Sequence, residues 1–119
     1  MKRFVFLLLV VAGAWLPAPV AAQTRTVKVQ NETYICYTVK VQGYGSDGHH
    51  LDIGDERIAS KKSHTFTYTY TGKSVDILVS ADACFHGVMP SPAHAKNVRV
   101  SETFSIVQPG SSAHIVRRP

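Results

Sequence analysis

After residue 22, this 119-residue chain has no apolar run long enough to cross a bilayer, no window with a 3.6-residue apolar stripe, no internal repeat and no low-complexity tract. Those absences exclude a membrane-spanning helix in that region, a helical bundle and a solenoid. Charge is sparse as well, at 18% of residues. Lys28, Lys40, Lys61, Lys62, Lys73, Lys96 and Arg99 are scattered among turns and strands, with Arg117 and Arg118 together near the end. A nucleic-acid groove needs a basic stripe, so no nucleic-acid partner is expected. No nucleophile elbow or paired-carboxylate motif frames a serine, histidine or acid. Asp47, Asp52, Asp55 and Glu56 follow a glycine-rich stretch and read as turn residues. The chain is therefore expected not to be an enzyme.

The first 22 residues are of another kind. Lys2 and Arg3 open the chain, Phe4 to Leu16 is almost wholly apolar, and Val20, Ala21 and Ala22 are the small residues that a signal peptidase accepts before Gln23. Residues 1–22 read as a signal peptide and 23–119 as one domain, too short for two cores. The destination is periplasmic or secreted. The remaining region holds eleven Lys and Arg against eight acidic residues, a net charge of +3. That charge supports only a weak attraction to acidic polymers or anionic envelope surfaces.

Cysteine is nearly absent. Cys36 and Cys84 are the two present, and in an oxidising compartment pairing is their default state. Closing that loop restricts the unfolded chain by about 4 kcal/mol on the chain-entropy account.

The dominant period is two. Val27 and Val29 alternate with Thr26, Lys28 and Gln30. After a turn at Asn31 and Glu32, the run from Thr33 to Gln42 sets Ile35, Tyr37, Val39 and Val41 against Cys36, Thr38, Lys40 and Gln42. Residues 43–48 form a loop with three glycines. Leu51 and Ile53 predict a short strand stopping at Gly54 and Asp55, with another short element near Ile58. Phe66, Tyr68 and Tyr70 alternate with Thr65, Thr67 and Thr69, and either the aromatic face fills the core or it forms an exposed platform. Gly72 turns the chain into Val75 to Ala81. Gly87, Pro90 and Pro92 predict a loop over Phe85 to Ala95. Strands then resume at Val98 and Val100, at Phe104 to Val107 and at His114 to Val116. Seven to nine short strands predict an all-β fold, a small antiparallel β-sandwich of immunoglobulin-like type with one disulfide. Cys36 and Cys84 fall out of phase with the apolar positions of their strands, so either the bond staples neighbouring strands or a loop without crossing the core, or a bulge near Cys36 or a strand ending at Ala81 resets the phase. Asn31, Glu32 and Thr33 also spell a glycosylation sequon, read here as a turn.

Function is expected in the loops or at a sheet edge, as recognition of a protein or an envelope polymer. The candidate binding loops are Gly43 to His50 and Phe85 to His94, carrying His49, His50, His86 and His94. One segment suggests chemistry: Cys84, Phe85, His86, Gly87, Val88 and Met89 place a thiol, an imidazole and a thioether in close succession. Here the chain resembles the copper loop of cupredoxins. The resemblance implies a copper site of His50, Cys84, His86 and Met89, with thiolate and imidazoles around the metal and a weak thioether ligand. A Cys36–Cys84 bond and a Cys84 thiolate are mutually exclusive. The binding reading takes no cofactor, and copper belongs to the alternative.

Overall fold

The computed structural model describes residues 22–85 and 87–119. The expected signal segment, apart from Ala22, and His86 lie outside the described residues. Among those described there are eight strands: β1 (Gln23–Asn31), β2 (Tyr37–Gly45), β3 (His50–Ile58), β4 (Ser63–Tyr70), β5 (Val75–Ala83), β6 (Ala93–Val98), β7 (Ser101–Val107) and β8 (His114–Arg118). They form two four-stranded sheets, in the orders β4-β1-β7-β8 and β3-β2-β5-β6.

The period-two pattern explains why the sheets stack. Val27 and Val29 on β1, Tyr37, Val39 and Val41 on β2, and Val75, Ile77 and Val79 on β5 are all buried, with the intervening residues partly or fully exposed. Inward faces of both sheets interdigitate to make one core. Phe66 and Tyr70 are buried in it and Tyr68 packs against it, so the aromatic face of β4 fills the core and its threonines face solvent.

Several features depart from the expectations. Residues 43–45, foreseen in a loop, close β2, and Val100, foreseen in a strand, is exposed beyond the end of β6. The strand foreseen from Thr33 begins only at Tyr37, and Ile35 is exposed, because the Asn31 and Thr33 side chains hold the intervening backbone in a turn. The two short elements foreseen around Gly54 are one nine-residue strand. Its pairing with β2 slips there, Val41 facing Gly54 and Gln42 facing Asp52, so Ile53 is the extra residue of a bulge. Gly54 lies over Phe66, whose ring a Cβ would meet at 3.2 Å. The predicted loop ends early, since residues 93–95 belong to β6. The prolines stop just short of it, and β6, at a sheet edge, needs ladder bonds on one side only. Finally, β7 pairs with β1 in parallel, whereas the other ladders among the described residues are antiparallel. The chain crosses from β6 to the other sheet through residues 99–100 and so starts β7 at the end where β1 also starts. The expected antiparallel sandwich is thus present, with this one ladder parallel.

The strand directions define two ends. Turns 46–49, 71–74 and 99–100 lie at the first, and connections 32–36, 59–62, 84–92 and 108–113 at the second.

Candidate recognition surface

The second end is built around the disulfide. Tyr37 faces Ala83 in the β2–β5 ladder, and one step further the Cys84 amide donates to the Cys36 carbonyl at 2.9 Å. Cys36 and Cys84 are thus direct cross-strand neighbours, with Cα atoms 5.3 Å apart, and their sulfurs are bonded. Cys36 shares its face with the exposed Thr38 and Lys40, so the bond staples two adjacent strands on the outside of the sandwich, as its phase predicted. Arg57 of β3 reaches the pair, its Nε donating to Cys36 Sγ at 3.1 Å.

Two further ties shape this end. Tyr37, wholly buried, donates its hydroxyl to the Val88 carbonyl at 3.2 Å, and burial raises the pKa of that phenol, keeping its proton in place for the bond. Asn31, also buried, donates from Nδ2 to the carbonyls of Ile35 (2.7 Å), Ile58 (3.1 Å) and Ala59 (3.2 Å). Its Oδ1 accepts from the Thr33 amide (3.0 Å) and hydroxyl (2.6 Å). The sequon is thus an interior turn hub whose amide nitrogen is turned inward and fully engaged.

With their backbones so held, the neighbouring side chains project outward. Tyr34 is 86% exposed, Phe85 71%, Met89 60% and Ile35 36%. These are four of the six large exposed apolar residues among those described, and they lie on two segments joined by the disulfide. Lys61 donates to the Glu32 carbonyl at 2.7 Å and sets its ammonium 4.2 Å above the Tyr34 ring, a cation–π contact that orients the ring. Ala83, Cys84, Phe85, Gly87 and Met89 line an open recess of about 390 Å³.

The other candidates are dispersed. Asp47 organises the β2–β3 turn. Its Oδ1 accepts from the His49 amide (3.0 Å) and the Tyr70 hydroxyl (3.1 Å), and Oδ2 lies 3.3 Å from His49 Nδ1. The His49 amide bond, more than any other contact, lowers the Asp47 pKa. His50 opens β3 and packs its ring 5.1 Å from that of Tyr44. His94 stands exposed on the outer face of β6, opposite Leu78, and not in a loop. The two candidate loops therefore lie at opposite ends of the sandwich. Tyr44, which faces His50, lies eight positions along the chain from Cys36, about 26 Å along a strand. The copper set of His50, Cys84, His86 and Met89 is not assembled: His50 is at the far end, the Cys84 sulfur is bonded to Cys36, and His86 lies outside the described residues. Among the described residues, no three His, Cys, Asp or Glu side chains come together as a metal site.

Tyr34 and Ile35 were the functional candidates that sequence reasoning missed, while Phe85 was foreseen only as the first residue of a candidate loop. Their one local signal is adjacency to the cysteines, and the period-two phase had counted Ile35 as interior.

No family model matches the chain, and neither does any curated protein. Among solved structures, it is similar to the NMR structure of a protein from Eubacterium rectale, with a TM-score of 0.56 and 16% identity over 85% of this chain and 94% of that one. It also aligns with part of a disulfide-locked intermedilysin mutant in complex with human CD59, with a TM-score of 0.49 and 8% identity over 82% of this chain and 24% of that one. The first likeness supports the fold alone.

Proposed function

We propose that the protein is an exported recognition module, not an enzyme, which captures a partner protein through its disulfide-tied end. The observation that carries this reading is the grouping of Tyr34, Ile35, Phe85 and Met89 on two covalently joined segments. Tyr, Phe and Met are the side chains by which interface centres gain most of their affinity, and ordered backbones lower the entropy lost on binding. An apolar rim of this kind suits a partner that presents apolar side chains better than a hydroxyl-rich polymer. Export to a periplasm or the cell exterior, with cleavage before Gln23, fits a disulfide-bonded domain whose first strand starts at that residue. No helix among the described residues is long and apolar enough to cross a membrane.

The test places a photo-crosslinker at Val88, beside the rim, or at Thr67, on the outer face of β4, in the exported protein. Position 88 is expected to yield a discrete adduct that position 67 does not. Tyr34→Ser with Phe85→Ser should abolish the adduct while leaving the urea midpoint nearly unchanged, because exposed side chains contribute little to stability. An undiminished adduct in the double variant would show that another surface does the binding. Binding to purified envelope polysaccharide in place of protein would move the reading to the polymer. Intact mass checks the cut, with Gln23 expected as the first residue.

A further inference from the structure

The two sulfurs of the staple are not equivalent. Cys36 Sγ receives the Arg57 Nε–H at 3.1 Å, whereas Cys84 has Thr38 Oγ1 at 3.9 Å and lines the open recess with Phe85, Gly87 and Met89. Among the described residues no carboxylate forms an ion pair with Arg57, so the positive charge beside Cys36 is not cancelled by a direct partner. In thiol–disulfide exchange the attacking species is a thiolate, and the sulfur that leaves faster is the one whose thiolate is better stabilised. The recess offers an approach to Cys84, and electrostatics favours departure of Cys36.

We propose that the Cys36–Cys84 bond is a thiol–disulfide exchange site, open to an incoming thiol on its Cys84 side. The incoming thiol, from a small molecule or a partner protein, first loses its proton to solvent. Its sulfur then attacks Cys84 Sγ through the recess. A bond forms between the incoming sulfur and Cys84, the Cys36–Cys84 bond breaks, and its electron pair remains on Cys36 as a thiolate beside the Arg57 guanidinium. The mixed disulfide resolves when that thiolate attacks Cys84 Sγ, restoring the original bond and expelling the incoming thiolate. No net oxidation occurs in this cycle. Arg57 serves both directions, as it stabilises the leaving group and keeps Cys36 ionised for the return. Phe85 and Met89 of the apolar group line the entry side, so a captured protein with an exposed thiol would react there, but exchange with a small thiol needs no capture.

The test uses glutathione on the folded, oxidised protein. The reaction is frozen with acid at timed intervals, and peptide mass mapping locates the adduct. Glutathione is expected on Cys84, with Cys36 as the free thiol. In urea, where the recess and the Arg57 contact are gone, the adduct should divide between both cysteines. Arg57→Gln should slow exchange in the folded protein about threefold, because the departing Cys36 thiolate loses the positive charge that stabilises it. Absence of adduct in the folded protein, adduct mainly on Cys36, a Cys84 preference that survives in urea, or an unchanged rate in the Arg57→Gln protein would each overturn the proposal. Because the probe requires no docking, its result is independent of the crosslinking outcome.

Discussion

Replacing Asn31 by alanine should be among the most damaging single changes in the domain, although the residue looks like an ordinary polar turn former. Two Nδ2 protons are shared among the carbonyls of Ile35, Ile58 and Ala59, and Oδ1 accepts from both the amide and the hydroxyl of Thr33. Truncation removes the equivalent of four hydrogen bonds from a side chain that is 1% exposed, at about 1 kcal/mol each. The Ile35 and Ala59 carbonyls lie in only partly buried bonds and can recover water, which brings the expected loss to about 3 kcal/mol. A domain of this size has about 5 to 15 kcal/mol in total. With a urea dependence of about 1.3 kcal/mol per molar, the midpoint should fall by about 2 M. Thr33→Ala should cost less, about 1 to 2 kcal/mol, because it leaves the Asn31 amide bonds in place. The double variant should cost less than the sum of the two, since they share bonds. A loss below about 1 kcal/mol for Asn31→Ala would refute the idea that this side chain holds the second end together. The same geometry makes Asn31 unavailable to a glycosyl donor once the protein has folded.

Three further outcomes are expected. Cys36→Ser should lower stability by about 2 to 5 kcal/mol in urea unfolding and increase protease sensitivity around residues 84–92, since the bond closes a separation of 48 residues. Copper(II) added to the native, unreduced protein should give no intense thiolate-to-copper band, because both sulfurs are bonded to each other; such a band would restore the copper reading. Arg118 donates to Glu32 at 2.7 Å and is the main cause that holds the Glu32 pKa below its ordinary 4.5. Its contribution to stability is therefore fully present above about pH 4.5 and lost as pH falls through the lower folded value. Both groups are well exposed, so the contribution should stay below about 1 kcal/mol, and Arg118→Ala should return the Glu32 titration by NMR toward 4.5.

The sequence by itself determined the local pattern. Alternation at Val27 and Val29, Val39 and Val41, and Val75 to Val79 dictates strands with one buried face, because successive side chains of a strand point to opposite sides. Pairing of the two cysteines was legible from their number and the expected oxidising compartment, and the same alternation pointed to an outer location for the bond. The aromatic side of β4 was open between core and platform in the sequence, and the burial of Phe66 and Tyr70 between the sheets decided it. What only the tertiary structure decided are relations between distant segments. The parallel β1–β7 ladder, the slip at Gly54 and the recruitment of Ala93 to Val98 into a sheet depend on which strand lies alongside, and a period of two carries no strand order. The candidate surface belongs to this second class. Tyr34 and Phe85 are 51 positions apart in the chain and share an end because β2 and β5 are antiparallel neighbours bonded at their extremity, while His50 and Met89 are separated by the length of those same strands. Ile35 is exposed because buried Asn31 and Thr33 satisfy the backbone around it, a hydrogen-bonding demand that outweighs the apolar phase of a single residue.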